Sequence, residues 1–300
     1  QQLSNSGISL IPSASLTLNE TVIGGTTWVF SREEMANAFD VLVIDEAGQM
    51  SLANLLVMAQ SAKSILLVGD QQQLSQPTKA HHPGESGKSC LEYLMQGANV
   101  VPEDKGIFLN TSWRMEPTIT NIVSELFYDK RLMGNPFNEN NSINWGKPCL
   151  SQSGNQFPNQ GIIFEEIEHY GCSVKSIEEI DFIEKIVESL LGGSYTYAQF
   201  NEKCTGEITP NEILVTAPYN VQVNRLEQRL KGKAKVGTVD RFQGQEAPIA
   251  IHSLTASSGD EAPRGIDFLL EPNRLNVAIS RAQCLSIIIG CPGLATGLIN

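Results

Sequence analysis

Two adjacent carboxylates, Asp45 and Glu46, close the apolar run Val41-Leu-Val-Ile44 and are followed by Ala47-Gly-Gln49. A short, continuous, β-branched run of this kind reads as a buried strand. Its C-terminal tip is where open α/β sheets hold ligands. One carboxylate there suits a Mg²⁺ ion, which takes few protein oxygens, and its neighbour suits activation of a water. The plainer reading of a bare Asp-Glu is a solvated acidic turn; the apolar run before it and the Ala-x-Gln after it favour chemistry. About one strand later, Leu66-Leu-Val-Gly69-Asp70-Gln-Gln-Gln73-Leu74 repeats the layout. Asp70 and Gln73 suit sensing a phosphate or placing a water, set against a simple Gly-Asp strand-end turn.

A third stretch, His82-Pro-Gly-Glu-Ser-Gly-Lys-Ser89, ends like a phosphate-binding loop. The pattern G-x-x-x-x-G-K-[S/T] needs a glycine where His82 stands, and such a loop follows a strand directly. Here a long loop intervenes after Gly69. The stretch is therefore expected to be a look-alike, with Gly84 and Gly87 shaping a turn and Ser89 capping a helix that runs through Gln96.

These residues need strands and helices to carry them. Ser51 to Ala62 reads as a helix with Ser51 as its N-cap, and Ile65-Leu-Leu-Val68 as a second buried strand. That order implies a parallel sheet with crossover helices. Asn135 to Gln160, rich in Asn, Ser, Gly and Pro, reads as loop or insertion. The alternation then resumes, with strands at Ile162–Ile167, Ile213–Thr216, Val236–Val239, Ile249–Leu254 and Leu285–Ile289. Helices are expected at Ile177–Leu191, Val221–Leu230 and Arg274–Arg281. The reading is α/β, in two units covering 1–106 and 107–300. The first looks short, because few strands precede Ile44.

With 300 residues, 41% of them hydrophobic and 18% charged, the chain can bury a sizeable core. No run approaches a membrane span, and the first residues lack a signal-peptide layout. The six cysteines form no C-x-x-C pair, so free thiols in a reducing cytoplasm are expected. The net charge of −12 argues against a nucleic-acid partner unless a local patch exists. Between Arg225 and Arg241, six basic residues face two acids. A solvated helix end or a phosphate track would both account for it.

Taken in order, the motifs resemble those of superfamily 1 helicases, in the Upf-like branch. Asp45-Glu46-Ala-x-Gln49 and Gly69-Asp70-x-x-Gln73-Leu74-x-x-Pro77 are similar to motifs II and III. Asn110-Thr-Ser-Trp113-Arg114-Met115-x-Pro117 and Ala217-Pro218-Tyr219-Asn220-x-Gln222 are similar to elements of that branch. Val236-Gly-Thr238-Val-Asp240-Arg-Phe242-Gln243-Gly244-Gln-Glu246 resembles motif V, and Asn273-Arg274-Leu-Asn276-Val-Ala278-Ile-Ser280-Arg281-Ala282 resembles motif VI. Gly24-Gly-Thr-Thr-Trp28 adds a resemblance to proteins that fuse a RecB-like nuclease to such a helicase.

The resemblance implies two RecA-like parallel-sheet domains, the first truncated at its N-terminus, that bind ATP and Mg²⁺ and move on single strands, DNA in preference to RNA, 5′ to 3′. It implies that Asp45 binds Mg²⁺, Glu46 is the catalytic base and Gln73 contacts the γ-phosphate. Arg114 and Arg281 are implied to reach from the second domain as arginine fingers. Glu246 is implied to bind the ribose, with Gly244 of the same motif also cofactor-binding, and Trp113 to stack on the base, although the family usually has Tyr there. Thr26, Thr238 and Tyr219 are the implied nucleic-acid contacts, through phosphates and stacking that need no net positive charge.

No G-x-x-x-x-G-K-[S/T] lies between Gln1 and Asp45. The expectation is that an upstream region of the same polypeptide supplies it, with a nuclease domain as a further companion, and that this chain alone hydrolyses ATP poorly. Two rival readings are a non-catalytic nucleic-acid-binding module that has lost the loop and a small-molecule NTPase.

Overall fold

The computed structural model describes residues 10–12, 16, 20–74, 83–199 and 202–296. Pro77 of the motif III resemblance and His82 of the look-alike loop lie outside the described residues. The chain divides into two units, Gln1–Gln71 with Ser75–Gly97, and Gln72–Leu74 with Ala98–Asn300. A linear boundary near residue 106 keeps Gln72–Leu74 in the first unit; this division sets them in the second. The reason is packing: Leu74 is buried with Val239, Val277 and Ala278.

In chain order the first unit holds α1 (Thr27–Phe30), β1 (Phe39–Ile44), α2 (Leu52–Ala59), β2 (Ala62–Leu67) and α3 (Cys90–Met95). The two apolar runs seen in the sequence are β1 and β2. They pair in parallel, with Val43 opposite Leu66 and Ile44 opposite Leu67. A parallel pair needs a crossover, and α2 supplies it. Its start is fixed by Ser51, whose hydroxyl accepts from the Asn54 N–H. Ser89 does the same for α3, accepting from the Glu92 N–H, and that helix ends where Gln96 turns left-handed. Leu42 and Ile44 point into a core with Phe30, Ala47, Met58 and Cys90. Strand alternation puts Val41, Val43 and Leu66 on the other face, where they are 53%, 58% and 52% exposed.

The second unit runs through β3 (Thr111–Ser112), α4 (Pro117–Phe127), β4 (Met133–Gly134), β5 (Ser142–Asn144), β6 (Gly161–Glu166), α5 (Ile177–Leu190), β7 (Ser194–Gln199) and β8 (Glu202–Glu207). It continues with β9 (Ile213–Thr216), α6 (Asn220–Leu230), β10 (Lys235–Gly237), β11 (Ala247–Ser253), α7 (Ile266–Leu269), α8 (Pro272–Ser280), β12 (Ala282–Gly290) and α9 (Gly293–Thr296). Five of these strands form one parallel sheet in the order β10-β9-β11-β12-β6. Ile180, Ile183, Val187 and Leu190 of α5 and Leu226 and Leu230 of α6 pack on Ile249, Ile251 and Ile287. Ile119, Val123 and Phe127 of α4 pack with Ala250 and Ile279, against the opposite face of β11. Both faces are covered, which is why the strands read as unbroken apolar runs. This is the RecA-like layout that the motif order implies.

Two features were not legible. β5, β7 and β8 form a separate antiparallel sheet; β8, Glu202-Lys-Cys-Thr-Gly-Glu207, carries no apolar periodicity, and in β7 only Tyr195 and Tyr197 alternate. The stretch read as loop from Asn135 also contains the buried anchors Asn138 and Asn141. No helix among the described residues is long and apolar enough to cross a membrane.

Candidate functional site

In the first unit, β1 delivers Asp45 and Glu46 to its C-terminal tip, where both are exposed. Asp45 Oδ1 accepts from the Glu46 N–H at 2.9 Å, and Glu46 Oε2 accepts from Gln49 Nε2 at 3.0 Å. Glu46 has φ 52, a left-handed conformation that non-glycine residues seldom take. The turn is held by the β2 end: the Ala47 N–H donates to Val68 O at 2.9 Å. The two chain segments approach closely. A Cβ on Gly48 would lie 2.5 Å from Asp70 O, and one on Gly69 2.7 Å from Ala47 N. Glycine at both positions brings the Asp-Glu tip against the Gly69–Asp70 turn. Thr26 is exposed as the N-cap residue of α1, and its side chain makes no capping bond.

The look-alike stretch is a turn from Pro83 to Ser89 that leads into α3. Lys88 Nζ lies 2.8 Å from Glu85 Oε1, a local surface pair.

In the second unit, the residues that the motif resemblance ties to a nucleotide lie on one edge of the sheet. Glu246 precedes β11 and Arg281 precedes β12, so both stand at strand N-terminal ends. Arg114, before α4, forms an ion pair through Nε with Glu246 and donates from Nη1 to Ser280 O at 3.2 Å. Gln283 Nε2 donates to the other Glu246 oxygen at 3.2 Å. Arg281 is buried and donates to Val277 O at 3.3 Å, Gln245 O at 3.1 Å and Gln73 Oε1 at 3.3 Å. Trp113, beside Arg114, is 51% exposed. Gly244 has φ 76, the left-handed turn that brings Glu246 to the edge. The structure thus brings together Gln73, Arg114, Glu246 and Arg281, from four motifs widely spaced in sequence.

Anchors missed in the sequence hold this edge. Asn141 donates from Nδ2 to both Arg114 O and Gln283 O at 3.1 Å, and Asn138 to Met115 O at 3.0 Å. Glu116, buried, caps α4 by accepting from the Thr118 and Ile119 N–H groups. The signal available was Glu116-Pro117, an N-cap followed by proline at the first helical position.

Thr238 and Tyr219 stand at the opposite edge, following the C-terminal ends of β10 and β9. Thr238 is half-buried. Tyr219 is only 8% exposed, packed among Leu254, Ala256 and Leu269 with its ring 5.8 Å from that of Phe268. Its ring therefore offers no open face to a base, and burial pushes its hydroxyl above the usual tyrosine range.

The same edge holds a buried network that sequence reasoning overlooked. His169 Nδ1 lies 2.7 Å from Ser257 Oγ and its Nε2 3.0 Å from Glu179 Oε1. Both Glu179 oxygens accept from the Thr255 N–H at 3.0 Å. Thr255 has φ 75, an outlier for a β-branched residue. The signal was Glu179 itself, an acid on the helical face of Ile183, Ile186 and Leu190. Nearby His252 lies 2.8 Å from Thr216 Oγ1; burial, with a smaller push from Arg274, lowers its pKa to about 4.

Three of the six basic residues between Arg225 and Arg241 are matched by acids. Arg229 pairs with Asp181 and Glu184, and Lys233 with Glu188, all on α5; Arg241 pairs with Glu227. The local excess of charge joins α6 and the turn after it to α5, which supports the solvated-helix reading over the phosphate track.

Comparison with known proteins agrees with this layout. A family model described as an AAA domain matches residues 86–293, and a second with the same description matches residues 11–79. Helicase sen1 of Schizosaccharomyces pombe is 29% identical over 84% of this chain and 14% of its own length. ATP-dependent helicase NAM7 of Saccharomyces cerevisiae is 28% identical over 85% of this chain and 25% of its own. DNA-binding protein SMUBP-2 of Mesocricetus auratus is 28% identical over 90% of this chain and 27% of its own. The chain thus spans about a quarter or less of each of these relatives. With two matching AAA-domain models along its length and its motifs in helicase order, the chain belongs to the AAA-domain family of superfamily 1 helicases.

Proposed function

We propose that this chain is the motor portion of an ATP-dependent nucleic-acid helicase that moves on single strands. The observation that carries the reading is the convergence of Gln73, Arg114, Glu246 and Arg281 on one sheet edge. Phosphoryl transfer asks for positioning and charge stabilisation more than covalent chemistry. In this reading Glu46 takes the proton of the attacking water, Gln73 contacts the γ-phosphate, and Arg114 and Arg281 stabilise charge on it. Glu246 and Gly244 hold the ribose side, and Trp113, half open, stacks on the base. Thr26 and Thr238 contact the strand's phosphates, and Tyr219 shapes the turn beside them.

The donors present fit Mg²⁺. Asp45 is an exposed oxygen donor at a strand tip. That matches an ion held by one or two carboxylates and by substrate phosphates. When bound, the ion neutralises phosphate charge.

The phosphate-binding loop is proposed to come from another segment of the same polypeptide. Supporting this is the apolar face of Val41, Val43 and Leu66, which a further helix or strand would cover as in other parallel sheets. DNA in preference to RNA, 5′ to 3′ movement and a companion nuclease region complete the proposal; they rest on the motif resemblance.

The test is ATP hydrolysis by the full-length polypeptide, with and without single-stranded DNA or RNA oligonucleotides, and unwinding of duplexes tailed at either end. Stimulation by a single strand together with unwinding from a 5′ tail is expected. Hydrolysis that ignores single strands rejects the helicase reading.

A further inference from the structure

Gln73 is held in the second unit by more than Arg281. Asn273 Nδ2 donates to Gln73 O at 2.8 Å, and Asn276 Nδ2 to Gln72 O at 2.8 Å. The two asparagines lie three residues apart on α8, on one helical face. They take two consecutive backbone carbonyls of the same segment. Gln72 is fixed at its other end, where Nε2 donates to Asn99 Oδ1 at 3.0 Å, and Leu74 is buried just beyond.

Packing alone does not call for amides here. Val277 and Ala278 supply the apolar contact to Leu74. Asn276 is fully buried, shares its amide with Tyr128 Oη at 2.9 Å, and keeps Oδ1 without a partner among the described residues. A buried acceptor left unpaired is costly, so an apolar residue would serve packing better. What the amides provide is direction. They fix the main chain of Gln72 and Gln73, and with it the bearing of the Gln73 side chain towards Arg281.

We infer that Asn273 and Asn276 are positioning residues that aim Gln73 at the guanidinium of Arg281. The inference rests on the proposed ATPase reading for its functional consequence and on the hydrogen bonds above for its geometry. Asparagine is suited to the task because its short side chain holds an N–H donor in few rotamers. Aspartate has the same shape and no donor.

The experiment compares the full-length polypeptide with its Asn273→Asp and Asn276→Asp variants. ATP turnover is read at saturating oligodeoxythymidylate, and amide hydrogen exchange of residues 72–74 is read without nucleotide. Misplacing Gln73 is expected to lower kcat by about 100-fold. KM for ATP and oligonucleotide affinity should stay within about three-fold, the sign of an interaction made in the transition state. Exchange at Gln73 and Leu74 should accelerate. A kcat within about two-fold of wild type overturns the inference, as does a kcat loss matched by an equal loss of oligonucleotide affinity and a collapsed melting transition. If Asn276→Asp fails to fold, the half-buried Asn273→Asp decides. If the wild type itself hydrolyses no ATP, the proposed function fails; unchanged exchange in Asn273→Asp then rejects the positioning as well, and faster exchange sustains it.

Discussion

Arg114 and Arg281 carry similar proposed roles in different surroundings, and their variants should separate. The Arg114–Glu246 pair is about a third exposed, so it contributes little to stability, on the order of 1 kcal/mol or less. Arg114→Ala is therefore expected to cut single-strand-stimulated ATP turnover by about 10³-fold while leaving the melting temperature nearly unchanged. Arg281 is buried with three acceptors, and Arg281→Ala should lower both. Turnover and melting measured on the same preparations check the contrast. His252 gives a pH signature. Its pKa falls from 6.5 to about 4 in the folded chain. The unfolded chain thus takes up the proton first, and stability present above pH ~6.5 is lost as pH falls towards ~4. The shift corresponds to about 3 kcal/mol. His252→Gln should flatten the melting temperature between those pH values; an unchanged slope would show that another group dominates.

At the scale of elements, α4 depends on one residue. Glu116 caps it from a buried position with two backbone donors. Glu116→Ala is expected to destabilise the chain by about 2 kcal/mol, the upper range for a missing cap, read as a lower denaturant midpoint. The helix pair α5 and α6 makes the opposite prediction. Because Arg229 and Lys233 face α5 acids, Arg229→Ala and Lys233→Ala should leave the salt dependence of oligonucleotide binding unchanged. Were either side chain bound to a phosphate, its removal would reduce the slope by about one. The elements were largely legible: the buried strands β9, β11 and β12 and the helices α5 and α6 stood out by their apolar runs and helical faces. The β7–β8 hairpin did not, since β8 is polar, only Tyr195 and Tyr197 of β7 pack on the core, and its pairing partner β5 lies in a stretch of Asn and Gly. The pairing of Arg229 with α5 was equally hidden, because a charge count along the chain does not see a partner 48 residues away.

For the whole molecule, the motif set was readable and the joins between motifs were not. Asp45-Glu46, Arg114 and Arg281 stood out as candidates by residue type and order. That Arg114 meets Glu246, or that Asn141 anchors both Arg114 and Gln283, depends on tertiary pairings that no local pattern encodes. With a charge of −12 and half of the basic segment matched by acids, single-strand binding is expected to lean on hydroxyls and backbone N–H groups. The slope of log affinity against log salt should then be shallow, about −2 or less in magnitude. A steep slope would point to a cationic track that these pairings do not provide.

The bare face of β1 and β2 has a practical consequence for anyone handling this chain. A two-stranded sheet is only marginally stable, and this one offers Val41, Val43 and Leu66 to solvent on strands with no further ladder partner among the described residues. Such strands are templates for further strand addition. Preparations of these 300 residues should thicken into oligomers as they are concentrated, and Val43→Lys, placed on the open face, should keep them dispersed.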